Sequence, residues 1–339
     1  FRETLPHLHY TKFLTVPNTM GGVSLKKIIF IVFFIVTILF CVNCSGNNKG
    51  SEKSIQPEIE SYEEKRHSST EKKEIPWSIE YLKIQQIHDS YKVFGEGVSI
   101  AILDTGIKSN HKDLKIRGGI NIINHSTNYE DDNGHGTHIA GIIARIAPKA
   151  ELYSVKVLNK KQIGSYENIA KGIEWAINND IDIILMSFGG SKDSRILKEA
   201  IKKADSENIT LIASTGNTAL SNNSITYPAK YEEVIAVGAI TENNERWVGS
   251  NTGKELTVMA PGHKILSTSI DGNYTIRSGT SLAAAHVAGG LALLLSYNPL
   301  LDNKDLREII IQSSIKKTPD GYRIFNLEEA FKICKNFKK

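Results

Sequence analysis

Residues 98–106 read VSIAILDTG: six residues without a charge, then an acid and a turn glycine. A short run of this kind, rich in β-branched residues, reads as a strand buried on both faces. Residues 183–186 (IILM), 211–214 (LIAS) and 234–240 (VIAVGAI) repeat the pattern. Helical patterns lie between them. Residues 166–178, YENIAKGIEWAIN, place Ile169, Ile173, Trp175 and Ala176 on one face, and residues 191–207 read as a second helix. Buried strands alternating with helices predict an α/β fold of three layers, a mostly parallel central sheet with helices on both faces. In open parallel sheets active sites gather at the carboxyl ends of strands, where Asp104 falls. An acid there also serves as a turn or cap residue, so Asp104 alone decides nothing.

At 339 residues the chain fits two domains or one large α/β domain. Hydrophobic residues at 40% and charged residues at 23% exclude a wholly disordered, collagen-like or multi-span membrane protein. Forty-one basic against 37 acidic side chains leave a net charge of only +4, with no basic stripe, so nothing points to a nucleic-acid partner. The three cysteines, Cys41, Cys44 and Cys334, lack the paired spacing of a zinc site. No internal repeat appears.

The chain begins at Phe1 and its first methionine is Met20, so residues 1–19 read as an upstream or misassigned start. Lys26 and Lys27 precede the uncharged run 28–42, IIFIVFFIVTILFCV. That run is shorter than the ~20 residues of a membrane-spanning helix and has the layout of a secretory signal. Residues 20–44 are therefore a signal peptide or an anchor offering membrane attachment. Cys44 resembles a lipoprotein junction, although Cys41 and Asn43 match that pattern poorly. Residues 45–75 are charged and carry few large hydrophobes, as expected of a flexible linker or short propeptide. Residues 76–339 form the folded domain.

Two further segments carry chemistry. Residues 133–141, NGHGTHIAG, set His135 between two glycines at the mouth of a small-residue helix. A single His is most often a structural residue. A metal role fits poorly, because His135 and His138 lack the i, i+4 spacing and the Glu of a zinc-protease helix. Residues 278–290, SGTSLAAAHVAGG, put Ser281 at the start of an Ala/Gly helix. Free N–H groups and partial positive charge at a helix start suit an oxyanion. Alone, Ser281 reads equally as an N-cap.

Together, Asp104, His135 and Ser281 stand in the order of the subtilisin triad. Residues 76–339 resemble the subtilisin-like serine proteases, the subtilase family. Segments 152–158 (LYSVKVL), 172–176 (GIEWA), 186–190 (MSFGG), 214–217 (STGN), 227–230 (YPAK) and 258–262 (VMAPG) carry the resemblance further.

That resemblance implies a three-layer subtilisin-like fold and a serine endopeptidase. Ser281 would be the nucleophile, His135 the general base and Asp104 the group that fixes the imidazole tautomer. Asn217, otherwise a turn residue, would donate to the oxyanion beside the Ser281 N–H. Residues 187–190 (Ser187, Phe188, Gly189, Gly190) would pair with a polypeptide substrate as an edge strand. Gly164 would supply the facing edge and Tyr166 a subsite wall, or Tyr166 packs at a helix start. Thr226 would narrow the specificity pocket to a medium-sized side chain.

Departures from the family pattern set further expectations. Leu282-Ala283-Ala284-Ala285-His286 replaces Met-Ala-Ser/Thr-Pro-His after the nucleophile, which bears on the fine positioning of Ser281. The segment 142–148 is short and without carboxylates, so the high-affinity calcium loop of many relatives is expected to be absent, although Asp113 remains. No cofactor is required, and a weaker calcium site elsewhere is left open. Residues 45–75 are too short for a folded inhibitory prodomain. His138 and His286 are expected to pack structurally, His111, His125 and His263 to lie in loops, and Cys334 to be an inert or partly exposed thiol. The expected protein is a monomer, extracellular or tethered outside the membrane. The alternatives are a dedicated leader-peptide processing protease and an inactive peptide-binding subtilase; the complete Asp/His/Ser/Asn set argues against the second.

Overall fold

A computed structural model describes residues 54–55, 64–67 and 75–336. The start, signal and anchor readings of residues 1–44, and most of 45–75, lie outside the described residues. The central sheet has seven strands: β3 (Ser99–Asp104), β4 (Ile116–Asn121), β5 (Glu151–Lys156), β7 (Ile183–Met186), β8 (Thr210–Ser214), β9 (Ile235–Ile240) and β10 (Val258–Pro261). Their order is β10-β9-β8-β7-β3-β5-β4, and every adjacent pair is parallel. Short antiparallel pieces flank it. β6 (Gly164–Ser165) pairs with β1 (Ser54–Ile55), and β12 (Tyr274–Arg277) pairs with β11 (Ile265–Thr268) and with β2 (Glu64–His67).

The two-residue period of a strand sorts β3 between two cores. Ile100 and Ile102 enter the core shared with α3 (His135–Ile146) and α6 (Thr280–Tyr297). Ala101 and Leu103 enter the core under α4 (Tyr166–Ile177) and α5 (Arg195–Ser206). The sheet is thus covered on both faces, which is why its central strands β3, β7, β8 and β9 read as near-continuous apolar runs, whereas the edge strand β4 (IRGGIN) is only partly buried. Continuing the alternation, Asp104 falls on the face of α3 and α6, the two helices whose first turns carry His135 and Ser281. The helix α6 is apolar all round because it runs through the core: Ala283, Ala284, Ala285, Val287, Ala288 and Leu291 are all fully buried. Helices α1 (Trp77–Tyr81), α2 (Ile84–Tyr91), α7 (Asn303–Ser313) and α8 (Leu327–Asn336) complete the same side.

Two sequence expectations shift. The helix expected from residue 191 starts at Arg195, because the residues before it are tied to a tyrosine. Tyr231 Oη donates to Asp193 Oδ1 at 2.7 Å and accepts from the Ser194 N–H at 3.3 Å, which holds that stretch as a loop. Trp175 is half-buried against Tyr153, ring centroids 6.0 Å apart, instead of entering the core with Ile173 and Ala176.

His138 and His286 are fully buried. His138 Nε2 lies 3.1 Å from Thr275 O and His286 Nδ1 lies 2.7 Å from Leu282 O. Burial first, and then the Arg277 charge, lowers the His138 pKa to about 3, and burial lowers that of His286 to about 4. A depressed histidine pKa means the unfolded chain binds the proton more tightly. The stability these rings supply as neutral groups is complete above their unfolded pKa near 6.5 and is lost as pH falls toward 4. For His286 alone the loss is on the order of 3 kcal/mol. Urea midpoints measured from pH 7 to pH 4 should fall steeply, and His286→Asn should flatten the slope. An unchanged slope in that variant would contradict the assignment.

Candidate active site

Asp104 ends β3 with no exposed surface. Its Oδ1 accepts the Thr105 N–H at 2.7 Å. His135 opens α3, and its Nδ1 lies 2.8 Å from Asp104 Oδ1 and 2.9 Å from Oδ2. This contact assigns the hydrogen to Nδ1 and leaves Nε2 as the acceptor. The close approach depends on Gly136: a Cβ there would overlap Gly106 O and lie 3.1 Å from the Asp104 Cβ.

Ser281 is the second residue of α6 and is 4% exposed. Its Oγ donates to Ser187 O at 3.0 Å, while Ser187 Oγ donates to Ser281 O at 3.3 Å. The structure therefore makes the carboxylate–imidazole contact and turns the serine hydroxyl toward the 187–190 segment. Among the described residues no hydrogen bond joins Ser281 to His135. Hydrogen bonds between catalytic groups often tighten only in the Michaelis or transition-state complex.

Asn217 stands beside the Ser281 helix start. Its Oδ1 accepts from the Thr280 N–H at 2.9 Å and from Thr280 Oγ1 at 2.8 Å. Thr280 thereby holds the carbonyl end and leaves the amide nitrogen for the cleft. Helix geometry leaves the Ser281 N–H without an intrahelical acceptor, a second donor at the same place. The sequence reading missed Thr280; its only signal was adjacency to Ser281.

Phe188, Gly189, Ser214, Gly216, Asn217 and Thr226, with Thr280 and Ser281, line a cavity of about 10 Å³. That is room for a single water. Thr226 fills it: a Cβ added to Gly189 would collide with the Thr226 hydroxyl, which bonds Thr215 O at 3.3 Å.

The expected substrate edges are altered in two places. Both backbone polar groups of Gly190 pair with Tyr227, at 2.9 Å each, so the segment is not free along its whole length. Gly164 lies opposite Ile55 in the β1–β6 pair, so the chain's own upstream segment takes that edge. Tyr166 is buried and its hydroxyl donates to Lys192 O at 2.6 Å, the packing alternative. Cys334 is buried, and burial raises its thiol pKa to about 11, so no thiolate forms at neutral pH.

The family model of subtilases matches residues 95–329. The chain belongs to the subtilase family. It is 42% identical over 260 residues to a thermostable alkaline protease of Halalkalibacterium halodurans, covering 74% of this chain and 71% of that one. It is 38% identical over 320 residues to subtilisin E of Bacillus subtilis, covering 91% and 82%. The crystal structure of a cold-adapted subtilisin-like serine proteinase superposes with a TM-score of 0.66 at 29% identity, covering 70% of this chain and 91% of that one. This subtilase is accordingly a subtilisin-like serine endopeptidase, a hydrolase of polypeptides.

Proposed function

We propose that this subtilase cleaves peptide bonds through Asp104, His135 and Ser281 with an acyl-enzyme intermediate. The Asp104–His135 contact of 2.8 Å is the observation that carries the reading. In the reaction, Ser281 Oγ leaves Ser187 O, passes its proton to His135 Nε2 and attacks the scissile carbonyl. Asn217 Nδ2 and the Ser281 N–H receive the oxyanion, and Asp104 stabilises the imidazolium. His135 then protonates the leaving amine, and water repeats the sequence on the acyl-enzyme. Hydrolysis of an unfolded protein substrate, stopped by prior treatment with a fluorophosphonate, tests this. Persistent hydrolysis after full treatment would overturn it.

The same reading assigns the enzyme small side chains before the scissile bond, smaller than the sequence suggested, because the cavity beside Ser281 holds about 10 Å³. Thr226→Gly should raise kcat/KM for a Phe or Leu substrate relative to Ala by about 10-fold or more, through the area newly buried. A peptide library run on both proteins measures this; an unchanged preference would refute the role of Thr226. Pairing of substrate at Gly164 requires β1 to leave that edge.

Residues 20–44 support export, with the enzyme released or tethered outside the membrane. The catalytic steps require no cofactor. The residues present do not fit the high-affinity calcium loop of relatives, since α3 runs unbroken into buried Ile142, Ile143 and Ile146, and Asp113 is engaged by the Tyr274 hydroxyl.

A further inference from the structure

Asp131 is 7% exposed and lies outside the triad, yet it touches both of the elements that hold Asp104 and His135. Its Oδ1 accepts from Thr105 Oγ1, the Asn133 N–H and the Gly134 N–H, each at 2.9 Å. Its Oδ2 accepts from the Thr137 N–H at 3.0 Å and from Thr137 Oγ1 at 2.6 Å. Thr105, the residue after Asp104, donates its own N–H to the Asp104 carboxylate, and its Oγ1 accepts the Gly136 N–H at 3.1 Å. Gly134, Gly136 and Thr137 surround His135 in the first turn of α3. The α3 N-cap, Gly134, brings no side chain, so Asp131 does the capping from outside the helix. From the far side Lys156 Nζ grips Thr105 O and pairs with Asp132 Oδ1 at 2.7 Å.

One buried carboxylate thus ties the turn after β3 to the start of α3. We propose that Asp131 is a positioning residue that sets the Asp104–His135 separation through Thr105 and the first turn of α3. This rests on the triad reading above. An error near 1 Å in such a contact costs about 100-fold in rate. Asp131→Asn keeps the shape but replaces an acceptor oxygen by a donor, which faces either the Thr105 hydroxyl and the Gly134 N–H or the two Thr137 donors. Thr105→Val deletes the strut from its other end.

The test measures kcat, KM and the downfield NMR resonance of the His135 Nδ1 proton in both variants and in the double variant. Asp131→Asn is expected to lower kcat by about 10- to 100-fold with KM within about 3-fold, and to shift or broaden the resonance. Thr105→Val should act in the same direction, and the double variant should be no worse than Asp131→Asn, since both cut one connection. If Asp131→Asn does not fold, Thr105→Val alone carries the readout. Unchanged kcat and resonance with a lowered melting temperature would reduce Asp131 to a helix cap and overturn the proposal, as would strictly additive losses. A wild type that hydrolyses nothing overturns the assigned reaction instead; the resonance then still reports on Asp131.

Discussion

Ser281→Ala is expected to abolish fluorophosphonate labelling and to reduce hydrolysis to a trace while the protein stays folded. The change removes one oxygen. Its hydrogen bond to Ser187 O, the one it makes among the described residues, is lost, and the small α6 residues around it are untouched. A net hydrogen bond is worth about 1 kcal/mol, so the melting temperature should move by only a few degrees. The rate should fall on the order of 10⁶-fold, the size measured in a subtilisin on removal of its nucleophile. The Asn217 amide and the Ser281 N–H remain, so residual catalysis above the uncatalysed rate is expected. Steady-state kinetics beside a thermal melt check this. A variant retaining a tenth of the activity would show that another group is the nucleophile.

Asp104→Asn should cost nearly as much through a different physical route. Thr105 N–H holds Asp104 Oδ1, so the oxygen of an asparagine stays on that donor and its NH₂ takes the Oδ2 position, 2.9 Å from His135 Nδ1. An N–H facing Nδ1 favours the tautomer with its hydrogen on Nε2. That tautomer cannot accept the Ser281 proton. The same exchange in another triad protease lowers kcat by about 10⁴ with the geometry intact, and a loss of that order is expected here with KM little changed. A fall below about 10-fold would mean that the carboxylate is not needed to orient the imidazole.

The strands were legible because they depend on local pattern; Asp104, His135 and Ser281 stood out only in combination, through the resemblance to subtilases. Residues 98–103 read as a doubly buried strand, and the structure's two cores then show that its period puts Asp104 on the face of the helices that start at His135 and Thr280. The cavity size was not legible. It depends on Phe188 and Thr226 converging from segments about 40 residues apart in the chain, one of them seated only because position 189 has no Cβ. The pairing of Gly190 with Tyr227 is equally long-range. Asp131 was hidden for another reason. An acid just before a helix reads as an ordinary cap, and nothing in the sequence shows that its second partner is Thr105 across 26 positions. Tyr166 resolved toward packing because its hydroxyl finds Lys192 O, a contact that sequence spacing does not encode.

Intact-mass and peptide-mapping spectrometry of the folded protein after fluorophosphonate treatment tests the central claim most directly. One adduct per chain is predicted, on the peptide containing Ser281, and none after prior denaturation. A folded protein that takes up no adduct, or carries it on Ser187 or another serine, would contradict the account.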